Sequence, residues 1–194
     1  MQLTKALTGL ALALSLGGCL SFGGKTPATL FTLTPANTAP AGSTASGSAR
    51  TAIVVLEPET DKRLAVQRVP VQIDAANVAY LKDAMWVERP ARLFAALLAE
   101  TLRAKGTALV FEAPEAETAG AVRLSGRLLD LGYDGASQSV VVRYDAIKGG
   151  PDGTIATKRF ESRVPGIAAK PEQVGPALNR AANDVARQVA EWVG

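Results

Sequence analysis

Residues 122–133 read VRLSGRLLDLGY, and their pattern is the strongest indication of the fold. Apolar residues and one glycine alternate with polar residues from Val122 to Leu128, which is typical of a strand with one buried face. From Leu129 to Tyr133 the apolar side chains occupy the other phase of the alternation. Because a slip of one residue turns every side chain to the opposite face, the sequence predicts a bulge or a strong bend at Leu128 and Leu129.

Further strand-like segments lie on both sides of this stretch. The segment 139–146 alternates in the same way, and a turn rich in glycine at 149–153 follows it. A continuous apolar run at 52–56 is typical of a strand that is buried on both faces. Pro70 restricts another segment to an edge or a bent strand. The predicted strands around the central stretch are 52–56, 64–74, 78–82, 107–111, 139–146 and 154–164.

Two segments show the period of a helix instead. The first extends over about 90–105, with Pro90 at its start and Gly106 after its end. The second extends over 171–193 and carries a wide apolar stripe on one face. The stripe consists of Val174, Leu178, Ala181, Val185, Val189 and Trp192. We therefore predict an α+β fold, in which two helices pack on a mostly antiparallel sheet as a two-layer sandwich.

The composition excludes several kinds of chemistry. The chain has 194 residues, a formal net charge of +3, one cysteine and no histidine. Without histidine, neither a Ser-His-Asp triad nor a histidine metal site can be built, and one cysteine cannot form an intramolecular disulfide. The sequence contains no GxSxG motif and no phosphate-binding loop, and the small charge gives no indication of nucleic acid as a partner. We therefore expect no enzyme, no cofactor and no metal site.

The first eighteen residues have the layout of a secretory signal. Lys5 precedes an apolar run from Ala6 to Leu16, and this run is shorter than the about 20 residues of a membrane span. Two glycines then precede the single cysteine, Cys19. We expect residues 1–18 to be removed as a signal peptide.

The segment Leu16-Gly17-Gly18-Cys19 resembles a bacterial lipobox, in which cleavage leaves the cysteine as an acylated N-terminus. The resemblance implies three acyl chains on Cys19, in a diacylglycerol and a palmitate, and two or more chains make membrane attachment stable. Leu20 stands where an aspartate would retain such a protein at the inner membrane. The implied location is therefore the outer membrane of a Gram-negative bacterium, facing the periplasm. The alternative is an ordinary signal peptide followed by a chance cysteine.

A tether is predicted between Cys19 and the folded body. Residues 30–35 read LFTLTP, which is typical of a short strand, and we expect this strand to dock on the body at an edge of the sheet. Residues 36–50 contain no large apolar side chain, as in a mobile loop. A flexible segment of this length spans roughly 20 Å, which would hold the body clear of the membrane. The predicted divisions are a signal peptide (1–18), a lipidated tether (19–50) and one α+β domain (51–194).

Three further motifs accompany the lipobox. Residues 31–35 read FTLTP, residues 53–56 read IVVL, and residues 78–90 read VAYLKDAMWVERP. Together they resemble the ABC-type transport auxiliary lipoproteins, the paraquat-inducible protein C-like family, in which a Tyr-x-Leu-x-Pro strand precedes a motif of tyrosine, tryptophan, acid and proline. This chain departs from that pattern at Phe31, which replaces the tyrosine, and at Arg89, which separates the acid from the proline.

The resemblance implies a function by binding. Such proteins are lipid-anchored accessory components of envelope ABC systems that contain mammalian-cell-entry-type proteins and move lipids or other hydrophobic compounds between the two membranes. The implied partners are the outer membrane, through the anchor, and a mammalian-cell-entry-type component, and a homo-oligomer is left open. Two alternatives also stay open. One is a structural lipoprotein of a secretion or cell-envelope complex, and the other is a lipoprotein that itself binds a lipid in an apolar cavity.

Trp86 and Tyr80 are the candidate partner-binding residues. An indole just before a helix is typical of an interface anchor, but it can equally fill the core beneath that helix, and we favour the core interpretation. Tyr80 is expected to share the environment of Trp86. The acids Glu112, Glu115 and Glu117 are interpreted as a solvated turn rather than as a cation site.

Overall fold

The computed structural model describes residues 27–112, 118 and 120–194. The predicted signal peptide, Cys19 and the acids Glu115 and Glu117 lie outside the described residues. The described chain forms two α-helices, seven β-strands and a turn of 3₁₀-helix, which confirms the α+β class. The strands are β1 (Ile53–Val55), β2 (Arg68–Gln72), β3 (Val78–Met85), β4 (Val110–Phe111), β5 (Val122–Asp134), β6 (Ser139–Gly149) and β7 (Ile155–Pro165). The helices are α1 (Pro90–Lys105) and α2 (Pro171–Val193), and the 3₁₀ turn is Ala49–Thr51.

The seven described strands form one mixed sheet around β5. One edge of β5 pairs with β6, which in turn pairs with β7, and both pairings are long and antiparallel. The other edge of β5 is shared, because β1 runs parallel to its beginning and β2 runs parallel to its end. β3 extends the sheet beside β2 as an antiparallel partner, and β4 lies parallel to β1. The expectation of a mostly antiparallel sheet thus holds for the long pairings, while three short pairings are parallel.

The bulge predicted from the sequence is present in β5. The pairing with β6 shifts between Leu128 and Asp130, where the apolar alternation changes phase. Gly126 precedes the bulge with a φ of +151°, and a Cβ at this position would overlap the carbonyl oxygen of Asp145 and lie 2.9 Å from the ring of Tyr144. The close approach of β6 therefore requires a glycine at this point of β5.

Both helices have the bounds that the sequence predicts. α1 begins with Pro90, and Gly106 ends it in the left-handed conformation, with a φ of +69°. α2 begins with Pro171 and contacts α1, β6 and β7. Among the described helices, none is sufficiently long and apolar to cross a membrane. The largest fully buried side chains are Trp86, Tyr144, Phe94, Leu64, Leu97, Leu98, Leu124, Leu128, Leu131 and Leu178.

Candidate functional site

Residues 27–39, which we call the N-terminal strap, pass the edge of the sheet before they reach the helices. The Phe31 N–H donates to the carbonyl oxygen of Met85 at 2.7 Å, and the Val87 N–H donates to the carbonyl oxygen of Phe31 at 2.8 Å. Phe31 and Trp86 thus form an isolated parallel bridge beside β3. The segment docks at the edge of the sheet, as predicted, but it does so through one bridge instead of a strand.

Two asparagines of α2 hold the next part of the strap. Asn179 Oδ1 accepts the Thr34 N–H at 2.8 Å, and Asn183 Oδ1 accepts the Ala36 N–H at 2.7 Å. Asn183 Nδ2 also donates to the carbonyl oxygen of Thr34 at 2.9 Å. Leu33, just before Thr34, is 7% exposed and belongs to the core. The helix therefore satisfies the backbone of a segment that has no neighbouring strand at this point.

The strap then reaches α1, where the Ala39 N–H donates to Glu100 Oε1 at 2.8 Å. The residues expected to begin a mobile loop are therefore bound to both helices, which corrects the prediction of a loop that starts at residue 36. The correction shortens the tether. If Cys19 is anchored, residues 20–30 separate it from Phe31, the first described residue of the strap that bonds to the sheet.

Trp86 lies in the core, with 1% of its surface exposed. Its ring meets that of Phe31 edge to face, with 5.6 Å between the ring centroids and an angle of 83° between the planes. Gly175 of α2 makes room for the strap, because a Cβ there would lie 3.0 Å from the Phe31 ring. The indole Nε1 has no hydrogen-bond partner among the described residues. Trp86 thus fixes the strap to the sheet from inside the body.

Tyr80 lies in a different environment from Trp86. It is half-buried, and the Arg68 guanidinium lies 4.2 Å from the centroid of its ring. Asp83 separates the two aromatic residues along β3, and its φ of +54° interrupts the alternation of the strand. Leu81, the next residue of β3, is buried, and Tyr80 is not. The expectation that Tyr80 shares the environment of Trp86 is therefore not met.

Along β5, β6 and β7, every second side chain points into the core. The side chains between them lie on the other side of the sheet, which we call the charged face, and ion pairs join them across the three strands. Asp130 accepts from Arg63 at 2.8 Å and from Arg143 at 2.7 Å. Arg143 also donates to Glu161 at 2.6 Å. A groove of about 440 Å³ crosses the charged face. Its lining includes Arg63, Pro70, Asp130, Gly132, Asp134, Val141, Arg143 and Arg163.

The charges of this face are stabilised by their neighbours. Partial burial opposes the charge of Arg63, but its hydrogen bonds to Asp61 and Asp130 outweigh that effect and raise its pKa above the ordinary value. The backbone N–H of Ser137 and other donors lower the pKa of Asp134. Groups that stay ionised in this way suit recognition better than proton transfer. In the described part of the chain, no group of three or more Cys, Asp or Glu side chains is placed to hold a metal ion.

Residues 31–190 match the model of a protein family described as "ABC-type transport auxiliary lipoprotein component". The chain belongs to this family. The match begins at Phe31, which pairs the strap with the sheet, and it ends within α2. The strap is therefore part of the family's domain, and the resemblance inferred from the motifs at 31–35 and 78–90 is confirmed.

Solved structures show the same fold as this auxiliary lipoprotein. The crystal structure of an uncharacterized protein has a TM-score of 0.66 at 11% identity, and the match covers 78% of this chain and 97% of the other. A Xanthomonas campestris protein of the DUF330 family has a TM-score of 0.64 at 15% identity, over 86% of this chain and 91% of the other. A looser likeness, with a TM-score of 0.42 at 17% identity, is to the PelC dodecamer from Paraburkholderia phytofirmans, over 76% and 91%. No curated protein matches the sequence of the chain.

Sequence reasoning missed the residues of the auxiliary lipoprotein that hold the strap. Asn179 and Asn183 are four residues apart and therefore lie on one face of α2. Asparagine is a poor residue for a helix interior, so the pair was a signal for a polar contact. Gly175, on the same face, was a second signal, because glycine within a helix often marks a close approach.

Proposed function

We propose that this auxiliary lipoprotein is held in the outer membrane by acyl chains on Cys19 and faces the periplasm. There it docks onto a mammalian-cell-entry-type component of an envelope ABC system that moves lipids between the two membranes. The observation that carries the proposal is the family match over residues 31–190, preceded in the sequence by a signal-like segment that ends at one cysteine. Self-association into a homo-oligomer is part of the same proposal.

We infer that the protein acts by binding and not by catalysis. Arg63, Arg143 and Arg163 of the charged face are engaged in ion pairs with their neighbours. The helices and the sheet share one cluster of buried apolar side chains. Within it Phe94 of α1 packs edge to face on Tyr144 of β6, with 5.2 Å between the ring centroids. Close packing there favours a docking body over a body that encloses a lipid.

The anchor is tested by replacing Cys19 with alanine in the full chain and fractionating the cells. The Cys19→Ala variant should leave the membrane fraction, because it has no cysteine to acylate and the apolar run from Ala6 to Leu16 is too short to span a membrane. Ser21→Ala is the matched control and should stay with the membrane. Retention of the Cys19→Ala protein at the level of the control would contradict the proposal.

The location in the outer membrane has its own test. Leu20→Asp introduces the residue that retains lipoproteins of this kind at the inner membrane, so the variant should move to the inner-membrane fraction of a density gradient. The parent chain should remain in the outer-membrane fraction. An unchanged distribution of the two proteins, or a parent chain in the inner membrane, would contradict the proposed location.

A further inference from the structure

Three of the exposed large apolar side chains surround the place where the strap joins the body. They are Leu30 (42% exposed), Val66 (39%) and Val87 (51%), and we call them the edge patch. Single exposed apolar residues are ordinary on a protein surface, whereas a cluster of them indicates a contact surface.

The backbone contacts bring together the three chain segments that carry the edge patch. The antiparallel pairing of β2 and β3 matches Arg68 with Met85, and it continues past the strands because the Trp86 N–H donates to the carbonyl oxygen of Gln67 at 2.7 Å. Val66 precedes Gln67 and Val87 follows Trp86, and Gln67 Nε2 also donates to the carbonyl oxygen of Val87 at 3.0 Å. Val66 and Val87 therefore flank the same contact between the two chain segments.

Leu30 joins this pair from the strap. Phe31 and Trp86 are bridge partners whose rings are in contact, so their side chains lie on one side of the sheet. Since successive side chains point to opposite sides, Leu30 and Val87 both lie on the other side. In the parallel bridge Leu30 lies beside Met85 and Thr32 lies beside Val87. The edge patch is thus a group of exposed apolar side chains at the edge of the sheet, around the point at which the strap first bonds to the body.

The chain between the anchor and the body limits the distance of this surface from the membrane. Residues 20–30 separate Cys19 from Phe31, the first described residue that bonds to the body, and eleven fully extended residues span at most about 40 Å. A folded body of about 165 residues is roughly 40 Å across. Because the path from Phe31 around the body to its far side is longer than this width, the tether keeps the side that carries Phe31 toward the membrane.

We propose that the edge patch rests on the lipid surface, so that Leu30, Val66 and Val87 enter the membrane interface and fix the orientation of the body. The inference rests on the proposed lipid anchor at Cys19. In this orientation β3 lies next to the membrane, while β7, at the opposite edge of the sheet, points into the periplasm with Ile155.

The test uses the lipidated full chain in vesicles of phosphatidylethanolamine and phosphatidylglycerol. With Cys19 acylated, the variants Val66→Cys and Val87→Cys each contain one free thiol for an environment-sensitive fluorophore. Ile155→Cys is the matched control, because Ile155 is 75% exposed and lies on β7. Spin-labelled lipids should quench the fluorophore at positions 66 and 87 several-fold more strongly than at position 155. Unchanged thermal unfolding shows that each substitution leaves the body folded.

Three outcomes would contradict the proposed orientation, and they distinguish a wrong orientation from a missing anchor. If the protein floats with the vesicles and quenching is equal at all three positions or stronger at 155, the orientation is wrong and the anchor stands. If the Val87→Cys variant forms a disulfide-linked dimer on the vesicles, a second copy covers the patch instead of lipid. If the protein does not float with the vesicles, the anchor fails and the orientation fails with it.

Discussion

Asp134 is the last residue of β5, and hydrogen bonds that exist only in the folded protein stabilise its charged form. Its Oδ1 accepts the N–H groups of Ala136 at 3.0 Å and of Ser137 at 3.2 Å, and its Oδ2 accepts from Arg163 at 3.2 Å. The Ser137 N–H has the largest effect, and together with the other donors it holds the pKa of Asp134 below its ordinary value of 3.8.

This shift predicts how stability changes in acid. A carboxylate whose pKa is lower in the folded than in the unfolded protein stabilises the fold above the unfolded pKa, and this contribution is lost as the pH falls through the folded pKa. Asp134→Asn removes the titrating group. The difference in urea midpoint between pH 7 and pH 3 should therefore be smaller in the variant than in the parent protein. An equal difference in both proteins would show that Asp134 does not contribute to the pH dependence.

At this scale the sequence supports some inferences about single side chains and not others. The placement of Trp86 in the core agrees with the interpretation favoured from its position before a helix. The environment of Tyr80 could not be predicted, because it depends on the left-handed conformation of Asp83, which a period-two reading of β3 does not reveal. Likewise, the ion pairs of Asp130 with Arg63 and Arg143 join strands that are distant in sequence.

Among the elements, β5 depends on a glycine next to its bulge. Gly126→Ala would place a methyl group against the β6 backbone and the Tyr144 ring, so we expect it to lower the free energy of unfolding by about 3 kcal/mol. Gly149→Ala is the control, since a Cβ there meets nothing within 4 Å, and its effect should stay within about 0.5 kcal/mol. Chemical denaturation measures both. Equal stability of the two variants would contradict the close approach of β5 and β6.

The strap depends on the two asparagines of α2. The double variant Asn179→Ala with Asn183→Ala removes the acceptors of the Thr34 and Ala36 N–H groups. With about 1 kcal/mol for each lost hydrogen bond, hydrogen exchange at these amides should become about 10-fold faster or more. Arg180→Ala, an exposed position of the same helix, should leave the exchange unchanged. Equal exchange in the double variant and the control would show that the asparagines do not hold the strap.

The elements differ in how far the sequence predicts them. The bounds of α1 and α2 follow from local signals, namely a proline at each start and Gly106 after α1. The bulge of β5 follows from its own alternation. The parallel pairings do not follow, because β4 has only two residues and β1 and β2 meet β5 through two or three residue pairs each. Such short pairings are set by the path of the whole chain.

For the whole molecule, the strap shortens the length of chain between the body and its proposed anchor. A composition of alanine, threonine, serine and proline predicts a loop that gives the body reach. In the structure, Phe31 binds the sheet edge, and helix side chains bind the strap backbone up to Ala39. The long segment up to residue 50 therefore follows the point of attachment instead of preceding it.

We propose that this auxiliary lipoprotein docks onto the mammalian-cell-entry-type component of an ABC transport system. Cross-linking in intact cells, followed by affinity purification of the tagged lipidated protein and mass spectrometry, tests this directly. The Cys19→Ala variant serves as the control for contacts that need the membrane. A mammalian-cell-entry-type membrane protein should be enriched with the parent chain. Recovery of secretion-system subunits without any such component would contradict it.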